Sequence, residues 1–202
     1  MHKFFLLLFL PILVWGCRLD EVSPGKYMDW LADASSGLNI VNEGELFKYS
    51  VRYRPKEEMA LIELGTEYTT EKLDSMYQQY EGLEYYLLKL ESKTRGSDIV
   101  KTGLTKEADY YERLNYLTFN FQADIALVVG QDTSMCSLYH LERNYGAAPY
   151  LKVLLAFPAI DTGFTLDRKI LIYPRIEQAP NILDFNIKSE SFHKIPKLKK
   201  QN

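Results

Sequence analysis

The chain is poor in the residues that do redox and metal chemistry. It has two cysteines, Cys17 and Cys136, and three histidines among 202 residues. Two cysteines exclude a disulfide-stapled scaffold and any Cys-x-x-Cys metal knuckle. In the stretch after the first few residues the histidines are His140 and His193, with no further soft ligand near either in sequence. Eleven glycines are scattered and never cluster into a phosphate-cradling loop, and no Gly-x-Ser-x-Gly elbow occurs. Net charge is −3, so no global basic field would draw nucleic acid. Long apolar runs are also scarce: after residue 15 none approaches the roughly 20 residues a membrane-crossing helix needs.

What is present begins with the one apolar run, Phe4 to Trp15, behind His2 and Lys3. It is too short to span a bilayer, is broken by Pro11, and has no polar face that a half-buried core helix would show. That is the pattern of an export signal. The run ends Val14-Trp15-Gly16-Cys17 and turns polar at once.

These four residues resemble the lipobox of bacterial lipoproteins: an aliphatic residue, a small residue and then cysteine. The resemblance implies diacylglycerol on the Cys17 sulfur and removal of the chain through Gly16. It implies anchoring in the bacterial cell envelope, at the outer membrane, through two or three acyl chains, which hold stably where one holds only marginally. The following Arg18-Leu19-Asp20-Glu21 is similar to the short acidic export signals of some surface lipoproteins of the Bacteroidota. A lipidated Cys17 leaves Cys136 a lone thiol; without the lipid, a Cys17–Cys136 bridge in an oxidising compartment stays open.

Composition places the remainder among ordinary globular proteins: 47% apolar and 25% charged residues are far from a disordered chain. Tyrosine is over-used, 15 against 10 Phe and 2 Trp, which suits half-buried sheet and helix faces and also binding surfaces. The organisation expected is a signal peptide over 1–16, a lipidated tether over 17–25, one globular domain over 26–190 and a basic tail over 191–202. That tail carries Lys194, Lys197, Lys199 and Lys200, and reads as a frayed terminus or as an aid to docking on an anionic leaflet.

Within the domain, residues 26–34 place Tyr27, Trp30 and Leu31 on a short helix closed by Ser35-Ser36-Gly37. Glu45 to Arg54 alternates as a strand with Phe47, Tyr49, Val51 and Tyr53 on one side, stopped by Pro55. Lys56 to Leu64 is ambiguous between helix and strand. Thr69 and Thr70 offer caps to a helix over Leu73, Met76, Tyr77 and Tyr80, with Gly82 as its left-handed stop. Leu83 to Ser92 reads as a strand. Thr105 is expected to cap a second helix with Tyr110, Tyr111, Leu114 and Leu117 buried. From Phe119 the period becomes two, predicting a strand through Val129 to a turn at Gly130-Gln131-Asp132. Four further strands are expected at Ser134–Glu142, Tyr150–Phe157, Lys169–Tyr173 and Leu183–Ile187. Their close spacing calls for antiparallel pairing. The fold class is therefore α+β: an antiparallel sheet or sandwich with two helices from the first half.

Three groupings bear on chemistry. Asp161-Thr162-Gly163 resembles the catalytic triplet of aspartic proteases, but Phe164 replaces a small residue and no second triplet exists; the three are also good turn residues between strands. Cys136, His140 and Glu142 would share a strand face, yet residues four apart on a strand stand roughly 13 Å apart. Glu57, Glu58, Asp109 and Glu112 lie among basic residues and read as solvated faces. No catalytic residue, metal ligand or cofactor is assigned. The function expected is a lipid-anchored module that binds an envelope protein or a glycan, without catalysis. The alternative is an anchored hydrolase using Asp161, Asp167 or Asp184.

Overall fold

The computed structural model describes residues 21–65, 67–94, 98–142 and 148–200; Gly16 and Cys17 lie outside them. In chain order the elements are β1 (Glu21–Val22), α1 (Pro24–Ala32), β2 (Asn39–Glu43), β3 (Phe47–Arg54), α2 (Lys56–Leu64), α3 (Thr70–Gln79) and β4 (Leu83–Ser92). Then follow α4 (Glu107–Asn115), β5 (Ile125–Val129), β6 (Asp132–Met135), β7 (Leu138–Glu142), β8 (Tyr150–Pro158), β9 (Arg168–Ile172), β10 (Leu183–Ile187), α5 (Ser189–His193) and β11 (Lys197–Leu198).

The fold is α+β, with two antiparallel sheets of order β2-β3-β4-β8-β7 and β10-β9-β5-β6. Alternation sets the inner faces. Tyr49, Val51, Tyr86, Leu88, Val153 and Leu155 come from the larger sheet; Ile125, Leu127, Ile170, Ile172, Phe185 and Ile187 come from the smaller, and all join one core. The sheets meet at both sides. At one, the chain passes from β6 to β7 through Cys136 and Ser137, whose N–H groups donate to Ile125 O of one sheet and Ala156 O of the other. At the other, Asn42 on β2 donates to Asp184 O on β10 at 2.8 Å.

Several expectations hold at residue level. Phe47, Tyr49, Val51 and Tyr53 are all buried, Thr69 caps α3 by accepting from Lys72 N–H, and β4 and β10 occupy the expected residues. Gly130 takes a left-handed φ of 61° in the tight turn between β5 and β6, where an L side chain would be strained. Gly82 is left-handed too, at 79°, two residues past the Tyr80 C-cap.

Others need correction. Lys56–Leu64 is a helix: Pro55 ends β3 and sits at the N-cap, and Glu57 and Glu58 occupy the first turn, where the helix dipole favours carboxylates. Thr105 does not cap α4; Lys106 holds the N-cap position with no side-chain bond. Tyr111 is exposed while Arg113 is buried on that helix. The strand expected from Phe119 starts only at Ile125. Residues Tyr116–Asn120 form a π turn and Phe121–Asp124 a 3₁₀ turn. The alternation there misleads because Phe119 is 72% exposed and Phe121 fully buried, so the two do not share a face. Ser134–Glu142 is two strands, not one, because the chain changes sheets at Cys136. Ser23-Pro24-Gly25, expected in the tether, opens α1 with Pro24 in its first turn. The packed chain also runs past residue 190: Phe192 and Leu198 join the core, and β11 pairs in parallel with β1.

Candidate functional site

The sequence-predicted groupings are dispersed. Cys136 is buried at the corner between sheets, its thiol donating to Leu138 O at 3.0 Å, while His140 and Glu142 lie exposed on β7. Burial pushes the Cys136 thiol up to about 11, so it is protonated and unreactive at neutral pH. Asp184 faces Lys169 on the surface at 3.4 Å. Asp167 accepts from Lys188 Nζ and Ser189 N–H, and these bonds hold its carboxyl below the usual range. Among the described residues no group of three or more His, Cys, Asp or Glu side chains is placed to hold a metal ion.

Buried charge lies elsewhere, at the end of the molecule where β3 finishes and β4 and β9 begin. Glu84 and Arg168 are 4% and 1% exposed. Arg168 grips Glu84 in a two-point pair, Nη2 to Oε1 at 3.0 Å and Nε to Oε2 at 3.2 Å. Its remaining donors reach Thr162 Oγ1, Leu166 O and Ile160 O. All five guanidinium N–H groups are thereby used, the condition for burying an arginine. Glu84 also accepts from the Tyr86 hydroxyl at 2.8 Å. A second buried carboxylate, Glu58, is held by Arg52 at 2.7 and 2.8 Å and by Arg54 at 3.1 Å. The expectation that Glu58 belongs to a solvated face is therefore wrong.

Arg168 fixes the Asp161-Thr162-Gly163 turn. Thr162 accepts from the guanidinium on its hydroxyl oxygen and from the Thr165 hydroxyl on its carbonyl, while Asp161 stays exposed. The triplet forms a turn between β8 and β9 that Arg168 holds in place. Gly163 and Phe164 both take left-handed φ values, 56° and 57°. For a bulky residue that conformation is strained and needs support. Phe164 has it: its ring stacks on Phe192 at 4.6 Å between centroids and covers the Arg168 guanidinium at 4.4 Å.

Above this network opens a cleft of about 940 Å³. One wall is aromatic, with Tyr53 packed edge-on against Phe192 at 5.0 Å and Phe164 at 5.6 Å. α1, α2 and α3 also line it, through Tyr27, Glu57 and Tyr77. Glu21, Asp161 and Lys197 stand at the exposed rim. Burial raises the Glu57 carboxyl above its usual value, and no cation among the described residues lies within ion-pair distance of it. Burial likewise pushes up the phenols of Tyr27, Tyr53 and Tyr77, each further raised by the Glu57 charge, so the four groups share one locale. The Tyr27 hydroxyl is fully buried and has no hydrogen-bond partner among the described residues.

A smaller recess of about 500 Å³ contains Arg113 and Arg175. Both are committed internally, Arg113 to Val100 O and Thr102 O and Arg175 to Asp124. The larger cleft combines polar groups free of ion pairs with an apolar wall, the usual composition of a ligand site. Sequence reasoning missed its anchors although a signal was present. Glu84 falls in phase with Tyr86, Leu88 and Leu90, and Arg168 in phase with Ile170 and Ile172. Opposite charges on two apolar strand faces mark a buried pair.

Compared with known protein families, with curated proteins and with solved structures, the chain matches none.

Proposed function

We propose that the protein is a lipid-anchored module of the bacterial cell envelope that binds a small ligand, or a ligand-like part of an envelope partner, in the 940 Å³ cleft without transforming it. The observation that carries this reading is the chemistry of the cleft. Its aromatic wall is fixed by the Arg168–Glu84 pair, and a buried hydroxyl is left for a ligand to satisfy. The position of the cleft agrees with an anchor. Glu21 lies at its rim, and the four residues from Cys17 to Glu21 span at most about 14 Å, so a lipidated Cys17 sets the cleft mouth beside the bilayer.

The test has two parts. Intact mass of the membrane-extracted protein is expected to show an acylated Cys17, with the acyl mass lost and the protein released in Cys17→Ala. Native mass spectrometry of the same material is expected to retain an adduct of constant mass. That adduct disappears in Ala159→Trp, which fills the exposed cleft mouth without touching the core. An adduct that gains one water during incubation would instead establish the anchored hydrolase.

A further inference from the structure

The groups left over in the cleft define what it takes. Arg168 is spent on Glu84, Arg54 on Glu58 and Lys200 on Asp74, whereas Glu57 has no ion pair among the described residues. Lys56, its neighbour on α2, points its ammonium over the Tyr77 ring at 5.4 Å. Glu57 therefore lines the cleft with three phenol rings as an acid with no cation at ion-pair distance, and the Tyr27 hydroxyl, which lines it too, has no hydrogen-bond partner among the described residues. An anionic ligand would meet the Glu57 carboxylate, which has Lys56 near it but no cation at ion-pair distance among the described residues. A neutral apolar ligand would desolvate that carboxylate further and leave the Tyr27 hydroxyl unpaired.

We propose that the cleft binds a primary ammonium group carried on an apolar stem: the N–H donors go to the Glu57 carboxylate and the Tyr27 hydroxyl oxygen, and the stem lies along Tyr53, Phe164 and Phe192. Aromatic faces favour the cation, and the hydrogen bonds select a primary amine over a quaternary one, which has nothing to donate. The proposal rests on the reading of the cleft as a binding site.

The experiment titrates the full chain with four probes of equal stem, n-hexylammonium, hexyltrimethylammonium, hexanol and hexanoate, by calorimetry or by NMR of the aromatic resonances. Hexylammonium is expected to bind about ten- to a hundredfold more tightly than hexanol, the range for a charge-assisted hydrogen bond. Glu57→Gln is expected to erase that preference while leaving the thermal melt intact or raised. Tyr27→Phe, which removes one of the two acceptors, is expected to narrow the preference for hexylammonium over hexyltrimethylammonium without abolishing it. Free glucosamine, titrated in parallel, carries the primary ammonium without the apolar stem and is expected to bind more weakly than hexylammonium; equal or tighter binding overturns the assignment. Equal affinity for hexylammonium and hexanol, or tighter binding of hexanoate, overturns it. If no ammonium probe binds but the native adduct still depends on an open cleft, the amine is refuted and the binding module stands. Loss of both refutes the two together.

Discussion

At the scale of single residues, the determining feature is charge placed where water does not reach. Glu84 and Arg168 satisfy each other, so removing one leaves the other buried and unpaired. Glu84→Gln is expected to cost about 3–5 kcal/mol in urea denaturation, whereas the double replacement Glu84→Leu with Arg168→Met costs far less. A single-variant loss under about 1 kcal/mol would mean the pair is hydrated. Glu57 behaves oppositely. Because burial raises its pKa, the native state holds that proton more tightly than the unfolded chain does. Its contribution to stability is full at acid pH and is lost as pH rises through the native pKa. Glu57→Gln is therefore expected to be more stable than wild type at neutral pH, with the difference vanishing on acidification; melts at a series of pH values read this directly. Such a stabilising change at a binding residue is the usual cost of keeping a functional group uncommitted. Cys136 gives a third check. Its buried, protonated thiol is expected to resist alkylation in the native protein at neutral pH and to react once denaturant is added.

At the scale of elements, the C-terminal segment is part of the structure that builds the cleft. Lys199 N–H donates to Val22 O, Tyr68 donates to Lys199 O, and Lys200 reaches both oxygens of Asp74. Phe192 and Leu198 are buried, and each such side chain contributes about 1.5–3 kcal/mol. Truncation after residue 190 is expected to lower stability by about 3–6 kcal/mol and to open the aromatic wall; an unchanged denaturation midpoint would return the tail to a frayed terminus. The strands were legible wherever the alternation was long and both ends were marked. Leu83–Ser92 follows a left-handed glycine, and Leu183–Ile187 follows Pro180 and Asn181. What was not legible depended on contacts distant in sequence. The break of the chain at Cys136 comes from two sheets competing for adjacent N–H groups, and α5 and β11 form on surfaces supplied by β1, α1 and β3. In the same way the cleft unites residues from 21 to 200, and no local pattern reports that juxtaposition.

At the scale of the whole molecule, β1, the tail and the cleft converge on one end. β1 begins four residues after Cys17 in sequence and pairs with β11, which brings Lys197 and Lys200 to the cleft. Exposed Lys194, Lys197, Lys199 and Lys200 add about 1 kcal/mol each where they approach an anionic leaflet, although Lys200 is shared with Asp74. The chain supplies its own probe of this arrangement. Of its two tryptophans, Trp15 lies in the apolar run expected to be removed, which leaves Trp30 on α1, the helix packed beside β11. In the acylated protein on vesicles, energy transfer from Trp30 to a dansyl-labelled headgroup is expected to be efficient. It is expected to grow when anionic lipid is added and to shrink with salt as the lysines are screened. Transfer that is weak, and indifferent to lipid charge, would place the cleft end away from the bilayer. The ligand would then have to be sought in the aqueous compartment and not at the membrane surface.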